Sequence, residues 1–131
     1  MSKNLYPKNR YASIKARLLD IARARGVDYN SLTRLYFQER FLDRLAKTKY
    51  ADYFLLKGAL LFMAYKMTPG RLTQDIDFLA KDITNESSEL RRIFVEILSV
   101  DIDDCVSFDS TDINVDPIIT GGVQSGARIF I

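Results

Sequence analysis

The 131-residue chain contains no histidine and a single cysteine, Cys105. Without histidine it has no Ser–His–Asp or Cys–His catalytic group, no histidine-containing zinc site and no histidine general base. One cysteine excludes an internal disulfide framework and a cysteine cluster that binds metal. The chemistry therefore has to come from carboxylates, Lys and Arg, hydroxyl groups and backbone amides.

The sequence also lacks long apolar runs and a strong net charge. No stretch approaches the ~20 apolar residues that span a bilayer, and the first residues have no apolar signal core. With a lone cysteine, this predicts a cytoplasmic protein without a membrane segment. The net charge of +2, from 19 cations and 17 anions, is too small to indicate nucleic-acid or membrane binding. The length predicts one domain.

The first part of the sequence predicts two basic helices. Apolar residues at three- and four-residue steps predict a helix over Lys8–Arg25, and Gly26 can end it because glycine adopts positive φ. A second helix is predicted to begin at Asn30 or Ser31, either of which can cap it, and to run to about Lys47. Their arginines could form a nucleic-acid module or could be solvated around a buried stripe, and this second interpretation is favoured; the set comprises Arg17, Arg23, Arg25, Arg34, Arg40 and Arg44.

The rest of the chain alternates between strand-like and helical patterns. Thr73–Ala80 indicates a strand, because Ile76 and Phe78 alternate with Asp75 and Asp77. These patterns predict a small α/β or α+β domain. The other predicted elements are strands at Tyr53–Leu56, Val106–Phe108, Ile113–Ile119 and Ala127–Ile131, and helices at Leu60–Met67 and from Asn85 or Ser87 to about Ser99.

A glycine lies at the predicted strand-to-helix junction formed by Lys57, Gly58 and Ala59. Because glycine has no side chain, a phosphate can approach the backbone closely, and unpaired amides at a helix start favour an anion. A glycine here more often serves the turn alone, so the motif by itself indicates little.

Asp75 and Asp77 form a second motif. Residues two apart on a strand point to the same face, so both carboxylates project together while Ile76 and Phe78 enter the core. Two close carboxylates repel each other unless a cation lies between them, and Mg²⁺ is commonly held by one or two carboxylates plus substrate phosphates. The alternative is a strand edge with solvated acids, although Asp is disfavoured in strands.

The glycine junction and the carboxylate pair are more specific together. A turn for a triphosphate followed by carboxylates for a metal is what nucleotidyl transfer needs, and that chemistry does not require histidine.

Three segments carry a family resemblance: residues 34–45 (RLYFQERFLDRL), 50–60 (YADYFLLKGAL) and 71–77 (RLTQDID). With them the sequence resembles the AbiEii/AbiGii toxin family of nucleotidyltransferases, from about Arg34 to the end. The resemblance implies an α+β fold of the DNA polymerase β-like type, a small mixed sheet with flanking helices. It divides the chain into a helical segment at residues 1–50 and a nucleotidyltransferase core at residues 51–131.

The resemblance also implies a role in a bacterial toxin–antitoxin or phage-defence system. Family members resemble enzymes that use a nucleoside triphosphate with Mg²⁺ or Mn²⁺, and relatives transfer nucleotides to tRNA; the toxin is countered by a separate antitoxin. Asp75 and Asp77 match the catalytic, metal-binding Asp-x-Asp motif. The residues that the resemblance implies in nucleotide binding are Gly58, Ala59, Arg71 and Thr73. Lys57 precedes the turn and is a further candidate, although its side chain could point to either face.

The sequence departs from the family near its end. In this fold a later strand supplies a third carboxylate, and the resemblance stops before that strand, so this chain is expected to be incomplete and weakly active or inactive. Asp109, Asp112 and Asp116 are interpreted as turn or strand-end residues. The alternative function is a non-catalytic module that binds a cognate antitoxin or forms a homodimer through the apolar edge at Ile129–Ile131.

Overall fold

Helices and short strands alternate along the chain. A computed structural model describes residues 9–57 and 75–131. This confirms the predicted α+β class. Its elements are helices α1 (Arg10–Arg25), α2 (Tyr29–Ala46) and α3 (Ser87–Leu98), strands β1 (Phe54–Lys57), β2 (Asp77–Ala80), β3 (Asn114–Thr120) and β4 (Val123–Phe130), and a 3₁₀ turn at Ala51–Tyr53.

The chain divides into two compact units. The described residues of the first unit are 9–39, 57 and 75–77, and those of the second are 40–56 and 78–131. The division into residues 1–50 and 51–131 that the resemblance implied stays a prediction, and the predicted helix at Leu60–Met67 lies outside the described residues. Within the described parts of the chain, no helix is both long enough and apolar enough to cross a membrane.

The junction between α1 and α2 follows local sequence rules. Gly26 ends α1 in the left-handed region at φ 64°, and its amide donates to the carbonyl of Ala22. The predicted cap of α2 is wrong by two or three residues, because Asp28 is the cap. Its carboxylate accepts hydrogen bonds from the Ser31 amide at 2.9 Å and the Ser31 hydroxyl at 3.0 Å, so the helix begins at Tyr29.

Strands β1 and β2 form a two-stranded sheet. The Lys81 amide, just past β2, donates to the Tyr53 carbonyl, just before β1, at 2.8 Å. The start of β1 therefore faces the end of β2, and the strands run antiparallel. Counting inwards along both strands from this bond places Lys57 opposite Asp77. The predicted strand Thr73–Ala80 begins later than expected, at Asp77, with residues 73 and 74 outside the described part.

Four phenylalanine rings form the centre of the second unit. Phe41 of α2 stacks on Phe94 of α3, with ring centroids 5.8 Å apart. Phe54 of β1 meets Phe78 of β2 edge-to-face at 5.8 Å and Phe94 at 5.6 Å. These geometries are favourable between aromatic rings, so the cluster fastens α2 and α3 to the strands.

Helix α3 is amphipathic and supplies one wall of this core. Its buried residues recur at helical spacing, which brings them onto one face. They are Leu90, Ile93, Phe94, Ile97 and Leu98.

Replacing Ile97 by Ala should lower the free energy of unfolding by about 2–5 kcal/mol. Ile97 has 0% of its surface exposed, so the truncation removes buried contacts and leaves a cavity. Urea unfolding followed by circular dichroism measures the change. Arg91→Ala, at an exposed position of the same helix, is the control and should leave the unfolding midpoint unchanged. Equal midpoints for the two variants would contradict the assigned core.

Strands β3 and β4 form an antiparallel hairpin with a register irregularity between Ile118 and Ile119. Gly121 and Gly122 make its turn at φ 59° and 78°, a conformation that favours glycine at both positions. The strand predicted at Ile113–Ile119 is confirmed within one residue. The strand predicted at Ala127–Ile131 begins earlier, at Val123, because Val123 and Gln124 already pair with Thr120 and Ile119 of β3.

An ion pair buried in the second unit connects α2 to the segment after α3. Arg44, whose side chain is 2% exposed, bonds the Asp104 carboxylate through Nη1 at 2.9 Å and Nη2 at 3.0 Å. Nη2 also donates to the Val106 carbonyl at 2.7 Å, and the guanidinium lies 5.1 Å from the Phe108 ring centroid. The expectation that Arg44 lies outside the buried stripe of α2 is therefore wrong.

The predicted strand at Val106–Phe108 is also wrong. These residues belong to no strand, and the Val106 carbonyl accepts a hydrogen bond from the Arg44 side chain. The Val106 amide donates to Asp104 at 3.1 Å. The backbone groups of Val106 are therefore satisfied by side chains, and the apolar segment needs no partner strand.

The Asp104 pair makes stability depend on pH. Burial alone would raise the pKa of the Asp104 carboxyl. The hydrogen bonds from Arg44 and the Val106 amide lower the pKa by more than burial raises it, so it lies below its ordinary value. Since the folded pKa is depressed, the stabilisation is complete above the unfolded value of about 3.9 and is lost as pH falls through the folded pKa.

We therefore expect the difference in unfolding free energy between the wild type and Asp104→Asn to be largest above about pH 5 and to shrink below about pH 4. Urea titrations of both proteins across this range measure it. The subtraction removes the contributions of the other carboxylates, which both proteins share. A difference that stays constant down to pH 3 would contradict the lowered pKa.

Candidate active site

Three of the predicted site residues lie in the described part of the chain: Lys57, Asp75 and Asp77. All three belong to the first unit. The remaining four fall outside the described residues, and their roles stay predictions. They are Gly58, Ala59, Arg71 and Thr73.

Asp77 is the first residue of β2, and Asp75 precedes it by two positions. From Asp75 to Phe78 the side chains are in turn exposed, half-buried, exposed and half-buried. Such alternation is typical of an extended segment with one face towards the core. Both carboxylates are therefore on the exposed side, with Ile76 and Phe78 on the other.

Lys57 lies on the neighbouring strand at the same end of this sheet. It is the last residue of β1, and the register derived from the Tyr53–Lys81 hydrogen bond places it opposite Asp77. Directly opposite residues of an antiparallel pair have Cβ atoms about 4.5–5.5 Å apart and point to the same face. Both side chains are exposed, and among the described residues no ion pair joins them. The positively charged Lys57 is thus a neighbour of the carboxylate pair.

The chemistry of Asp75 and Asp77 fits a hard divalent cation. Carboxylate oxygens are the ligands that Mg²⁺ prefers, and Mg²⁺ in phosphoryl-transfer sites takes one or two carboxylates with substrate phosphates and water. Exposure of both side chains leaves room for those further ligands. Across residues 9–57 and 75–131, no group of three or more acidic, His or Cys side chains has a metal-binding arrangement.

The acids later in the chain have structural contacts. Asp109 accepts hydrogen bonds from the Thr111 amide at 2.9 Å and the Thr111 hydroxyl at 2.6 Å, which lower its pKa. This agrees with its interpretation as a turn residue. Asp104 is paired with Arg44. Asp116 lies inside β3, at the register position opposite Arg128, so its interpretation as a turn or strand-end residue is wrong.

One family model matches the chain, over residues 40–130, and its description is "Nucleotidyl transferase AbiEii toxin, Type IV TA system". The match covers more than half of the 131 residues. The chain belongs to this family. No curated protein matches the chain, and no solved structure does. The AbiEii match includes Lys57, Asp75 and Asp77, whereas α1 precedes it.

Membership gives the chain its chemical class. AbiEii proteins are nucleotidyl transferase toxins of type IV toxin–antitoxin systems. A nucleotidyl transferase takes a nucleoside triphosphate as substrate and generally uses a divalent metal, which agrees with the exposed acids. A toxin of this kind also has an antitoxin as its counterpart.

Proposed function

We propose that the chain catalyses metal-dependent transfer of a nucleotide from a nucleoside triphosphate to an acceptor hydroxyl. The observation that carries this proposal is the exposed pair Asp75 and Asp77 at the start of β2, within the region matched by the AbiEii family. Asp75 and Asp77 hold Mg²⁺ or Mn²⁺. The nucleotide is bound by Lys57, Gly58, Ala59, Arg71 and Thr73.

In this reaction the acceptor oxygen bonds to the α-phosphorus and the bond from that phosphorus to pyrophosphate breaks. The proton of the acceptor hydroxyl passes to solvent water. A bound metal would neutralise part of the negative charge on the phosphates. Asp75 and Asp77 would hold it, and the Lys57 ammonium adds positive charge on the exposed face. We expect the rate of transfer to be low, as the resemblance in the sequence implied.

The acceptor and biological setting are part of the same proposal. We propose tRNA as the acceptor, a cognate antitoxin as the protein partner, the cytoplasm as the location and defence against phage as the role. The AbiEii membership supports the antitoxin partner. The tRNA acceptor, the location and the defence role rest on the resemblance described from the sequence.

A transfer assay tests the proposal. The chain is incubated with tRNA and each of the four labelled nucleoside triphosphates, with Mg²⁺ or Mn²⁺, and matched reactions contain EDTA. Label should enter the RNA with at least one triphosphate, and EDTA should abolish it. Incorporation that persists in EDTA would contradict metal dependence, and none with any triphosphate, metal or RNA would contradict the proposed activity.

A second candidate function is non-catalytic binding of the antitoxin or of a second copy. The β3–β4 hairpin favours it, because its apolar side chains at Ile118, Ile119, Val123 and Phe130 are exposed. Co-purification with the antitoxin and sedimentation of the chain alone test it. Replacing Ile119 and Val123 together by Thr should then weaken association, and association unchanged in this variant would count against the hairpin.

A further inference from the structure

The exposed face at the Lys57 end of the β1–β2 sheet carries opposite charges side by side. The Tyr53–Lys81 hydrogen bond gives the register. The alternation along β1, and the exposed Asp77 followed by the half-buried Phe78 in β2, agree with it. Lys57 and Asp77 therefore occupy directly opposite positions on the exposed face. The sequence alone left the direction of the Lys57 side chain open.

We propose that Lys57 is a phosphate-binding residue whose ammonium acts on the same phosphate group that a metal held by Asp77 would contact. This inference rests on the proposed function and adds a mechanism to it. A lysine ammonium is a compact positive charge with three donors, which suits a phosphate oxygen. Among the described residues no hydrogen bond or ion pair occupies Lys57, so its donors are available to a ligand.

The position has two electrostatic consequences of opposite sign. Lys57 attracts the phosphates of a nucleotide, but it repels a divalent cation that approaches Asp77 without one. The site thus favours the metal together with the triphosphate over the metal alone. A lysine with only a structural role would not shift the two affinities in opposite directions.

Two binding measurements on the full chain test this. In the first, Mn²⁺ alone is titrated and followed by electron paramagnetic resonance; Lys57→Met should bind it about threefold more tightly. In the second, ATP, GTP, CTP and UTP are each titrated without metal by calorimetry; Lys57→Met should bind the preferred triphosphate roughly tenfold more weakly. Lys57→Arg should restore most of the triphosphate affinity because it keeps the positive charge.

Lys81→Met is the matched control. Lys81 is also an exposed lysine, and it follows β2 at the other end of the same sheet. Its replacement removes the same charge and should change neither affinity. Circular dichroism of each variant verifies folding.

The outcomes separate this inference from the proposed function. If the wild type binds both Mn²⁺ and a triphosphate but Lys57→Met has unchanged affinities, or affinities that move together, the role of Lys57 is overturned and the proposed function stands. If the folded wild type binds neither, the proposed function itself fails. Opposite shifts in Lys57→Met, absent in Lys81→Met, support the inference.

Discussion

Replacing Asp104 by Ala lowers the free energy of unfolding by about 3–5 kcal/mol, the largest stability effect we expect of one substitution. Arg44 is almost fully buried and would lose both hydrogen bonds to the carboxylate. The charge of Arg44 would then be uncompensated. Arg40 Nη1, which lies 3.8 Å from the Asp104 carboxylate in the wild type, would lose the same anion. Urea unfolding at pH 7 measures the loss.

A double-mutant cycle separates the pair from the packing around it. Arg44→Met/Asp104→Leu removes both charges and keeps apolar volume, so it should cost less than the two single changes added together. The exposed pair formed by Arg92 and Glu89 provides the control, because water screens it. Arg92→Gln should leave the unfolding midpoint unchanged. Additive effects of the Arg44 and Asp104 substitutions would contradict a coupled ion pair.

The parts of the fold that follow from sequence are those with local causes. Helix α1 ends at Gly26 because glycine adopts the positive φ of the cap, and the spacing of apolar residues gives α3 within two residues. The twin glycines at 121 and 122 mark the hairpin turn. In each case the physical determinant lies within a few residues of the element it determines.

The errors have non-local causes. Arg44 and Asp104 are 60 positions apart, and nothing near either residue indicates that each compensates the charge of the other. The apolar segment at Val106–Phe108 has the composition of a strand, yet the Val106 carbonyl is occupied by the Arg44 guanidinium. Pairing decides whether an extended segment becomes a strand, and the residues of the segment do not indicate which distant groups it will pair with.

The candidate site divides in the same way. The exposure of Asp75 and Asp77 follows from their spacing, which the sequence shows directly. The position of Lys57 depends instead on how β1 pairs with β2, and one hydrogen bond between Tyr53 and Lys81 decides it. A motif therefore predicts which residue types share a site, whereas the strand register tells which of them are neighbours.

Replacing Asp75 and Asp77 together by Asn reduces nucleotide transfer at least about 100-fold, to the background of the assay. The amides keep the size of the side chains but lose the negative charge that holds a divalent cation. Both side chains are exposed, and circular dichroism verifies that the variant is folded before the rates are compared. Initial rates with labelled triphosphate, Mn²⁺ and tRNA, compared at equal concentrations of folded protein, measure the effect.

Asp20→Asn/Asp52→Asn is the matched control, because it removes two exposed carboxylates outside the site and changes the net charge by the same amount. It should retain the wild-type rate and Mn²⁺ affinity, whereas the Asp75/Asp77 variant loses both. A loss of rate with unchanged Mn²⁺ affinity would mean that these acids act on the substrate rather than on a metal. A wild-type rate in the Asp75/Asp77 variant would show that these two carboxylates are not part of the active site. The activity expected from the AbiEii match would then have to come from other residues.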